Sequence, residues 1–168
     1  MLVCFYFQRR KTWIPIRRRR AIRRSTARLL ILILQEGRYQ KRFGGIFQLA
    51  KKLANASTYG NFRHGAVLIR GGAIVGMGIN SERYCSVGKD YRPEEKGNAT
   101  YHAEIKALLN IPRHVTKGSI MYVARCSKNG NDDRMSKPCA MCHAVMEERG
   151  IKKVYYTVDN EVVGTYKF

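Results

Sequence analysis

Positive charge is distributed unevenly along this sequence, and the imbalance limits which part of it can fold. Residues 1–42 hold 13 Lys and Arg against one acidic residue, whereas residues 43–168 hold 19 against 11. From Phe43 onward the composition is that of an ordinary mixed domain, long enough to bury a core without disulfides or a structural metal. We therefore predict a basic, disordered N-terminal extension over residues 1–42 and one folded domain over residues 43–168.

The chain as a whole has a formal charge of +20 at pH 7. Such a charge is extreme for a soluble enzyme, and it favours polyanionic or phosphate-bearing partners. Because most of the charge lies in residues 1–42, we expect any contact with a nucleic acid to involve this extension.

Cysteine usage bears on the compartment in which the protein works. The five cysteines lack the even number and regular spacing of a secreted disulfide framework, which favours a reducing, cytoplasmic environment. The extension is rich in Arg and poor in acids, as is a transit peptide to an organelle, although a disordered arm or a leader without function is the preferred interpretation. The longest aliphatic run, Leu29–Leu34, is too short to cross a bilayer, so no membrane is expected as a partner.

Hydrophobic periodicity and turn residues predict an alternating order of helices and strands. The pair Gly71-Gly72 marks a hairpin turn, Thr100 is a plausible N-cap, and Gly150 is typical of a helix C-terminus. The polar stretches 79–98 and 126–137 are predicted as loops. The predicted elements are a helix over 46–56, strands over 66–70 and 73–78, a helix over 100–110, a strand over 119–125, a helix over 138–149, and strands over 153–158 and 161–167. This order predicts a three-layer α/β domain.

Two short motifs carry residues with distinctive chemistry, and both lie at predicted helix N-termini. His102-Ala103-Glu104 begins one helix, and Pro138-Cys139-Ala140-Met141-Cys142 begins another. The spacing of Cys139 and Cys142 puts both sulfurs on one face of a helical turn, where the helix dipole favours thiolates. One imidazole and two thiolates suit tetrahedral Zn²⁺ and leave its fourth position for water, as in catalytic zinc sites.

Glu104 supplies the carboxylate that such a site needs. Zinc with three protein ligands lowers the pKa of water to roughly 7, and we predict that Glu104 takes the proton and delivers it to a substrate. Two simpler interpretations exist. The C-x-x-C can belong to a structural zinc ribbon or a redox pair, and Glu104 can be an acid that complements the helix dipole. The lack of a second C-x-x-C and the presence of His-x-Glu favour the catalytic site.

This H-x-E and P-C-x-x-C arrangement resembles the zinc signature of the cytidine and deoxycytidylate deaminase superfamily. The resemblance covers residues 43–168. Residues 63–67 are similar to the first core strand of the family, and Gly78-Ile79-Asn80 is similar to its G-x-N element. The resemblance implies a three-layer α/β/α fold with a central five-stranded mixed sheet, and one catalytic zinc ion.

The resemblance also implies which residues contact the substrate. Asn80 would orient the base, and the backbone around Ala66 and Ala103 would contact it. Asn is also frequent at strand ends because it tolerates turn conformations, so a structural role for Asn80 stays open. His64 is interpreted as an ordinary structural histidine.

One segment departs from the family pattern. The stretch between Glu104 and Pro138 holds 33 residues, more than the family leads us to expect. The extra length lies in Ser127–Lys137, beside the metal motif. This loop can reshape a pocket, so it bears on the substrate more than on the chemistry.

These observations lead to three functional hypotheses. The first is hydrolytic deamination of a cytosine nucleotide or nucleoside, most plausibly dCMP to dUMP, with release of ammonia. The second is a nucleic-acid editing deaminase, acting on cytosine in single-stranded DNA or RNA or on adenine in tRNA, with the basic extension along the phosphate backbone. The third is a nucleic-acid-binding protein whose zinc site is structural or whose enzyme function has been lost, against which the intact Glu104 argues. The resemblance also allows for a homo-oligomer.

Overall fold

The computed structural model describes residues 44–92, 99–160 and 162–168. The predicted basic extension and its boundary at Arg42–Phe43 lie outside these residues, so both stay predictions. None of the helices in these ranges is long and apolar enough to span a membrane. In chain order the helices are α1 (44–55), α2 (Ser86–Lys89), α3 (Ala103–Leu108), α4 (Arg113–Thr116) and α5 (Ala140–Glu148). The strands are β1 (Arg63–Arg70), β2 (Ala73–Ile79), β3 (Ser81–Tyr84), β4 (Thr100–Tyr101), β5 (Ile120–Cys126), β6 (Asp133–Arg134), β7 (Lys153–Asp159) and β8 (Val162–Lys167).

A mixed sheet in the order β2-β1-β5-β7-β8 forms the centre of the fold. β1 is antiparallel to β2 and β5, β7 is antiparallel to β8, and β5 and β7 run parallel with α5 in the connection between them. A parallel pair needs such a crossover, because the chain must return to the same end of the sheet. The predicted five-stranded mixed sheet is therefore confirmed, and the two-residue strand β6 pairs in addition with the end of β5.

Helices cover both faces of this sheet. On one face Phe47 of α1 meets the ring of Tyr122 edge-on, with ring centroids 5.5 Å apart, and Tyr122 stacks on Tyr155. Successive strand residues point to opposite faces, so the same strands also supply the other layer. There α3 and α5 pack onto small and aliphatic strand residues: Ala66, Leu68, Met121, Val123 and Val154. The result is the predicted three-layer arrangement.

Glycines let the helices approach the sheet closely. A Cβ on Gly78 would lie 2.2 Å from the backbone oxygen of Ala103 and 2.5 Å from the backbone nitrogen of Ala107, both in α3. On the opposite face, a Cβ on Gly65 would lie 2.2 Å from the backbone oxygen of Ala50 in α1. Glycine is required at both positions because helix backbone, and not a flexible side chain, occupies the space.

The region before α3 differs from its prediction. The stretch 79–98, predicted as a polar loop, contains β3 and α2, and β3 pairs with β4 in a separate two-stranded sheet. No residue of β3 is fully buried, so the strand lacks the alternation of apolar and polar residues that marks a half-buried strand. The predicted N-cap at Thr100 is wrong, because Thr100 is paired in β4 and the helix begins only after His102, its actual N-cap.

The other motif helix, α5, is close to its prediction. Cys139 is the N-cap, so Pro138 precedes the helix instead of occupying its first turn. At the C-terminus Gly150 has a φ of 72°, and the N–H of Ile151 bonds the carbonyl of Met146. This is a Schellman motif, whose left-handed residue is usually glycine because a Cβ would be strained there.

The close approach of α3 to β2 can be tested at Gly78. Gly78→Ala forces a methyl group against the backbone of α3, so we expect the free energy of unfolding in urea to fall by about 2 kcal/mol or more. Gly60→Ala is the control, since nothing lies within 4 Å of a Cβ at Gly60. Equal stability of the Gly78→Ala protein and the wild type would show that α3 has room to move away from the sheet.

Candidate metal and active site

The three predicted metal ligands lie together at the N-termini of α3 and α5. The Nδ1 atom of His102 is 3.5 Å from the Sγ of Cys139 and 3.3 Å from the Sγ of Cys142. All three ligand atoms lie within 4.8 Å of one another, close enough to share one ion. The fold thus joins two motifs that the sequence places far apart.

Local backbone geometry explains why these side chains are available to a metal. His102 and Cys139 are the N-cap residues of α3 and α5, in extended conformations with φ −81°, ψ 155° and φ −73°, ψ 170°, and neither side chain caps its own helix. A Ser, Thr, Asp or Asn at this position contributes about 1 kcal/mol by accepting a hydrogen bond from the first turn. Neither helix has that bond, and the two side chains meet each other instead.

The electrostatics of the two thiols favour a bound cation. A hydrogen bond with the Cys142 thiol, assisted by one with His102, lowers the pKa of Cys139 to about 3. The same bond, together with burial, raises the pKa of Cys142 well above its usual range. The two thiols thus share one proton, because adjacent thiolates repel each other. A divalent ion lets both ionise, and one imidazole with two sulfurs is a donor set that fits zinc.

Glu104 lies in the first turn of α3, two residues after His102. It is 4% exposed, and burial raises the pKa of its carboxyl above the usual range of a glutamate. It lines the same cavity as His102 and Cys139. An acid that only complements the helix dipole does so from the surface, without the cost of burial, so this position favours a chemical role.

A cavity of about 340 Å³ opens over these residues, at the lower end of the usual range for small-molecule sites. Of the predicted substrate contacts, Asn80 and Ala103 line it. Ala66 is fully buried in the central sheet and is not among the lining residues. Contact of a substrate with the backbone around Ala66 stays a prediction.

Asn80 is 6% exposed, and residues before and at the start of β1 hold its side-chain amide in place. Its Oδ1 accepts hydrogen bonds from Ser57 Oγ at 2.7 Å and from the backbone N–H of His64 at 2.8 Å, and its Nδ2 donates to the carbonyl of Phe62. Asn80 therefore has a structural role in the cavity wall. Since Nδ2 has a second N–H, direct contact with a substrate stays a prediction.

The sequence pattern did not identify two cavity residues, His64 and Arg125, which are partners across β1 and β5. Burial lowers the pKa of His64 to about 4, and the charges of Arg125 and His102 act in the same direction, so the ring is neutral near pH 7. Its Nδ1 lies 3.2 Å from the carbonyl of Phe62, which can only accept, so Nδ1 carries the proton. The sequence did contain one indication of this position of His64. Alternation along β1 puts His64 on the same face as Ala66, whose backbone was predicted to contact the substrate.

The loop between β5 and α5, which holds the extra length, is anchored to regular elements. Ser136 Oγ donates to the carbonyl of Val123 at 2.9 Å and lies 2.9 Å from Thr157 Oγ1, and its backbone N–H bonds the Thr157 carbonyl at 2.8 Å. Asp133 forms an ion pair with Lys51 of α1 at 2.5 Å. These contacts fix the course of the chain just before it enters α5.

Comparison with known families agrees with this geometry. The family profile described as "Cytidine and deoxycytidylate deaminase zinc-binding region" matches residues 44–158, which include the three ligands and Glu104. The chain belongs to this family. The predicted superfamily is therefore confirmed. Zinc is confirmed as the cofactor, because the family is a zinc-binding one and His102, Cys139 and Cys142 are placed to bind a metal ion.

Individual proteins similar to this chain have different names. The tRNA-specific adenosine deaminase of Rickettsia bellii (strain RML369-C) is 33% identical over 89 residues, which are 51% of this chain and 52% of that protein. The chain thus spans about half the length of the curated relative that it matches. The structure of dCMP deaminase from the cyanophage S-TIM5 in apo form is 20% identical over 73% of this chain and 82% of that chain, with a TM-score of 0.42. The structure of Acinetobacter baumannii RibD (form 2) is 20% identical over 66% of this chain and 26% of that chain, with a TM-score of 0.39.

The ligand set predicts about one zinc ion per chain. We expect elemental analysis of the purified full-length protein to find it, and Cys142→Ser to remove most of it, because an alcohol is a poor zinc ligand beside a thiolate. Cys85→Ser is the control: Cys85 is another buried thiol, and serine keeps an acceptor for the Gly88 N–H. Wild-type zinc content in the Cys142→Ser protein would contradict the assignment.

The loop anchor predicts a link between stability and metal binding. Ser136→Ala removes a buried hydroxyl with several partners, so we expect the free energy of unfolding to fall by about 1–3 kcal/mol. Zinc affinity, measured by competition with a chelator, should weaken as well, because Ser136 lies three residues before Cys139. Ser86→Ala, at an exposed position in α2, should match the wild type in both measurements. Lowered stability with unchanged zinc affinity would show that the anchor supports only the fold.

Proposed function

We propose that this chain catalyses the zinc-dependent hydrolytic deamination of a cytosine-type base, with a cytosine nucleotide or nucleoside, and dCMP foremost, as its substrate. The observation that carries the proposal is the buried carboxylate of Glu104, in the wall of a cavity that it shares with His102 and Cys139. A structural zinc site is closed by its four ligands and needs no free carboxylate beside it.

The reaction replaces the amino group of the ring with the oxygen of a water molecule and releases ammonia. His102, Cys139 and Cys142 would hold the zinc ion, which would supply the Lewis acidity that makes water a nucleophile near neutral pH. Glu104 takes one proton from the attacking water and passes it to the ring nitrogen beside the reacting carbon. It then takes the remaining proton from the hydroxyl group added to that carbon and delivers it to the amine, which leaves as ammonia.

The rest of the cavity wall supports the placing of a base. Asn80 and Ala103 both line the cavity, and we propose that the free amide N–H of Asn80 and the backbone of Ala103 hold the ring with its reacting carbon towards Glu104. The neutral ring of His64 adds a hydrogen-bond acceptor at Nε2, because its Nδ1 carries the proton.

A second candidate function is the editing of a base within a nucleic acid. It is favoured by the formal charge of +20, most of which lies in residues 1–42, and by the name of the relative that is 33% identical, a tRNA-specific adenosine deaminase. Phosphate contacts through Lys and Arg dominate such binding and make it depend steeply on salt. The two candidates share the zinc chemistry and differ in what is attached to the base.

Ammonia release from a panel of substrates separates the candidates. The panel consists of dCMP, deoxycytidine, cytidine, a single-stranded DNA oligonucleotide and a tRNA, each tested with zinc-loaded full-length protein and with a form that lacks residues 1–42. Turnover of dCMP that does not depend on residues 1–42 supports the first candidate. Turnover of a polynucleotide that falls steeply with salt and needs residues 1–42 supports the second. If nothing is turned over, the enzymatic proposal fails.

Glu104→Gln tests the proton-transfer role. The amide fits the same space but cannot take a proton, so we expect turnover of the best substrate to fall about 10²- to 10⁴-fold while zinc content stays at the wild-type level. Glu147→Gln, at an exposed position of α5, is the matched control and should keep full activity. Activity of the Glu104→Gln protein within a few-fold of wild type would place the proton transfers elsewhere.

Partners and location extend the proposal. A cytoplasmic location, a homo-oligomeric state and contact of the basic extension with a nucleic acid stay predictions. A fusion of residues 1–42 to a fluorescent protein would decide between a cytoplasmic and an organellar location.

A further inference from the structure

The cavity has a second charged feature, to which the deamination chemistry gives no role. Arg125 lies in β5 opposite His64 of β1, and its side chain lines the cavity. Its guanidinium carbon is 4.5 Å from the centre of the Phe62 ring, and Phe62 lines the cavity as well. Stacking on a ring uses the flat face of a guanidinium and leaves the in-plane N–H groups for acceptors.

Nothing in the described part of the chain accepts those N–H groups. The Nε of Arg125 is buried and has no hydrogen-bond partner there. The two acids nearest in sequence are engaged elsewhere, because Asp132 pairs with Arg134 and Asp133 pairs with Lys51. A partly desolvated cation without a counter-ion is unfavourable, and burial together with the nearby Arg134 lowers the pKa of Arg125.

The rest of the wall adds positive charge and no compensating acid. Lys137 is exposed and lines the cavity two residues before Cys139. Glu104 is the one acid among the described lining residues, and it is buried beside the metal ligands, with no ion pair to Arg125. The wall of the cavity therefore combines a buried carboxylate and predicted metal ligands with two cations, Arg125 and Lys137.

We propose that Arg125, stacked on Phe62 and assisted by Lys137, binds the phosphate of a nucleotide whose base lies at Glu104, and so selects phosphorylated substrates over nucleosides. The inference rests on the deaminase function proposed above. A guanidinium binds a phosphate bidentately through the N–H groups that stacking leaves free. The phosphate is a monoester in a mononucleotide and a diester within a single strand, and the two sources share this chemistry.

The test compares phosphorylated and unphosphorylated forms of one base. Ammonia release gives kcat/KM for dCMP, deoxycytidine and a short single-stranded oligodeoxynucleotide with one internal cytosine, all with zinc-loaded full-length protein. Arg125→Gln should lower kcat/KM for the phosphorylated substrate about 10- to 100-fold, mainly through KM, and leave deoxycytidine within about twofold. Arg125→Lys keeps the positive charge but not the planar guanidinium, so kcat/KM for the phosphorylated substrate should fall less than in Arg125→Gln. Whether dCMP or the oligonucleotide is preferred identifies the monoester or the diester as the source.

Arg134→Gln is the matched control. Arg134 is the register partner of Arg125 on β6, but it is exposed, pairs with Asp132 and does not line the cavity. Arg134→Gln removes the same charge from the neighbourhood, and the ratio of kcat/KM for dCMP to kcat/KM for deoxycytidine should stay unchanged. Equal losses for both substrates in the Arg125→Gln protein, or no loss for either, would overturn the assignment and leave the deaminase function standing.

Binding of the products gives a readout that needs no turnover. Calorimetric titration of the wild type should show tighter binding of dUMP than of deoxyuridine, and Arg125→Gln should abolish most of the difference. If that variant does not fold, Lys137→Gln, at an exposed position, should reduce the same difference to a smaller extent. Equal affinities of the wild type for dUMP and deoxyuridine would refute a phosphate subsite. If no substrate of the panel is turned over, the proposed function fails, whereas the titration still decides the role of Arg125.

Discussion

The site depends on two helices that begin at one place on the sheet without conventional caps. The N-terminus of a helix is the positive end of its dipole, so two such ends that face each other favour negative groups between them. Here those groups are the thiols of Cys139 and Cys142 and the carboxylate of Glu104. The pKa of Cys139 is lowered, whereas those of Cys142 and Glu104 are raised, so a bound cation is needed for all three to ionise together. The glycine Gly78 lets α3 approach β2 closely enough for this meeting.

The cavity beside the helix ends is lined by groups of both charges. The predicted metal ligands His102 and Cys139 and the buried Glu104 share its wall with two cations, Arg125 and Lys137. Burial lowers the pKa of His64, and the charges of Arg125 and His102 lower it further, so its ring is neutral near pH 7. A neutral base that carries a negatively charged phosphate, as proposed above, would complement these lining groups.

How far the sequence predicts this structure depends on how local each determinant is. The ligands and Glu104 were predictable, because His-x-Glu and Cys-x-x-C each carry their chemistry within a few residues. The central strands β1 and β5 were predictable from buried apolar runs. The short strands β3 and β4 contain no fully buried residue and so have no such signal, and the misplaced N-cap at Thr100 follows from missing β4. His64 and Arg125 become neighbours through the pairing of β1 with β5. Asn80 likewise bonds the backbone of His64, sixteen residues earlier. No local sequence pattern encodes either contact.

Along the last part of the loop before α5, residues that hold the fold and residues that face outward are different ones. Asp133 and Ser136 are buried and tied to α1 and to the sheet, whereas Arg134, Met135 and Lys137 are exposed, and the last two line the cavity. Mutational drift at the exposed positions therefore leaves the anchors and the metal ligands intact. A single substitution at Met135 or Lys137 can therefore alter the cavity wall while the buried contacts that hold the loop stay in place.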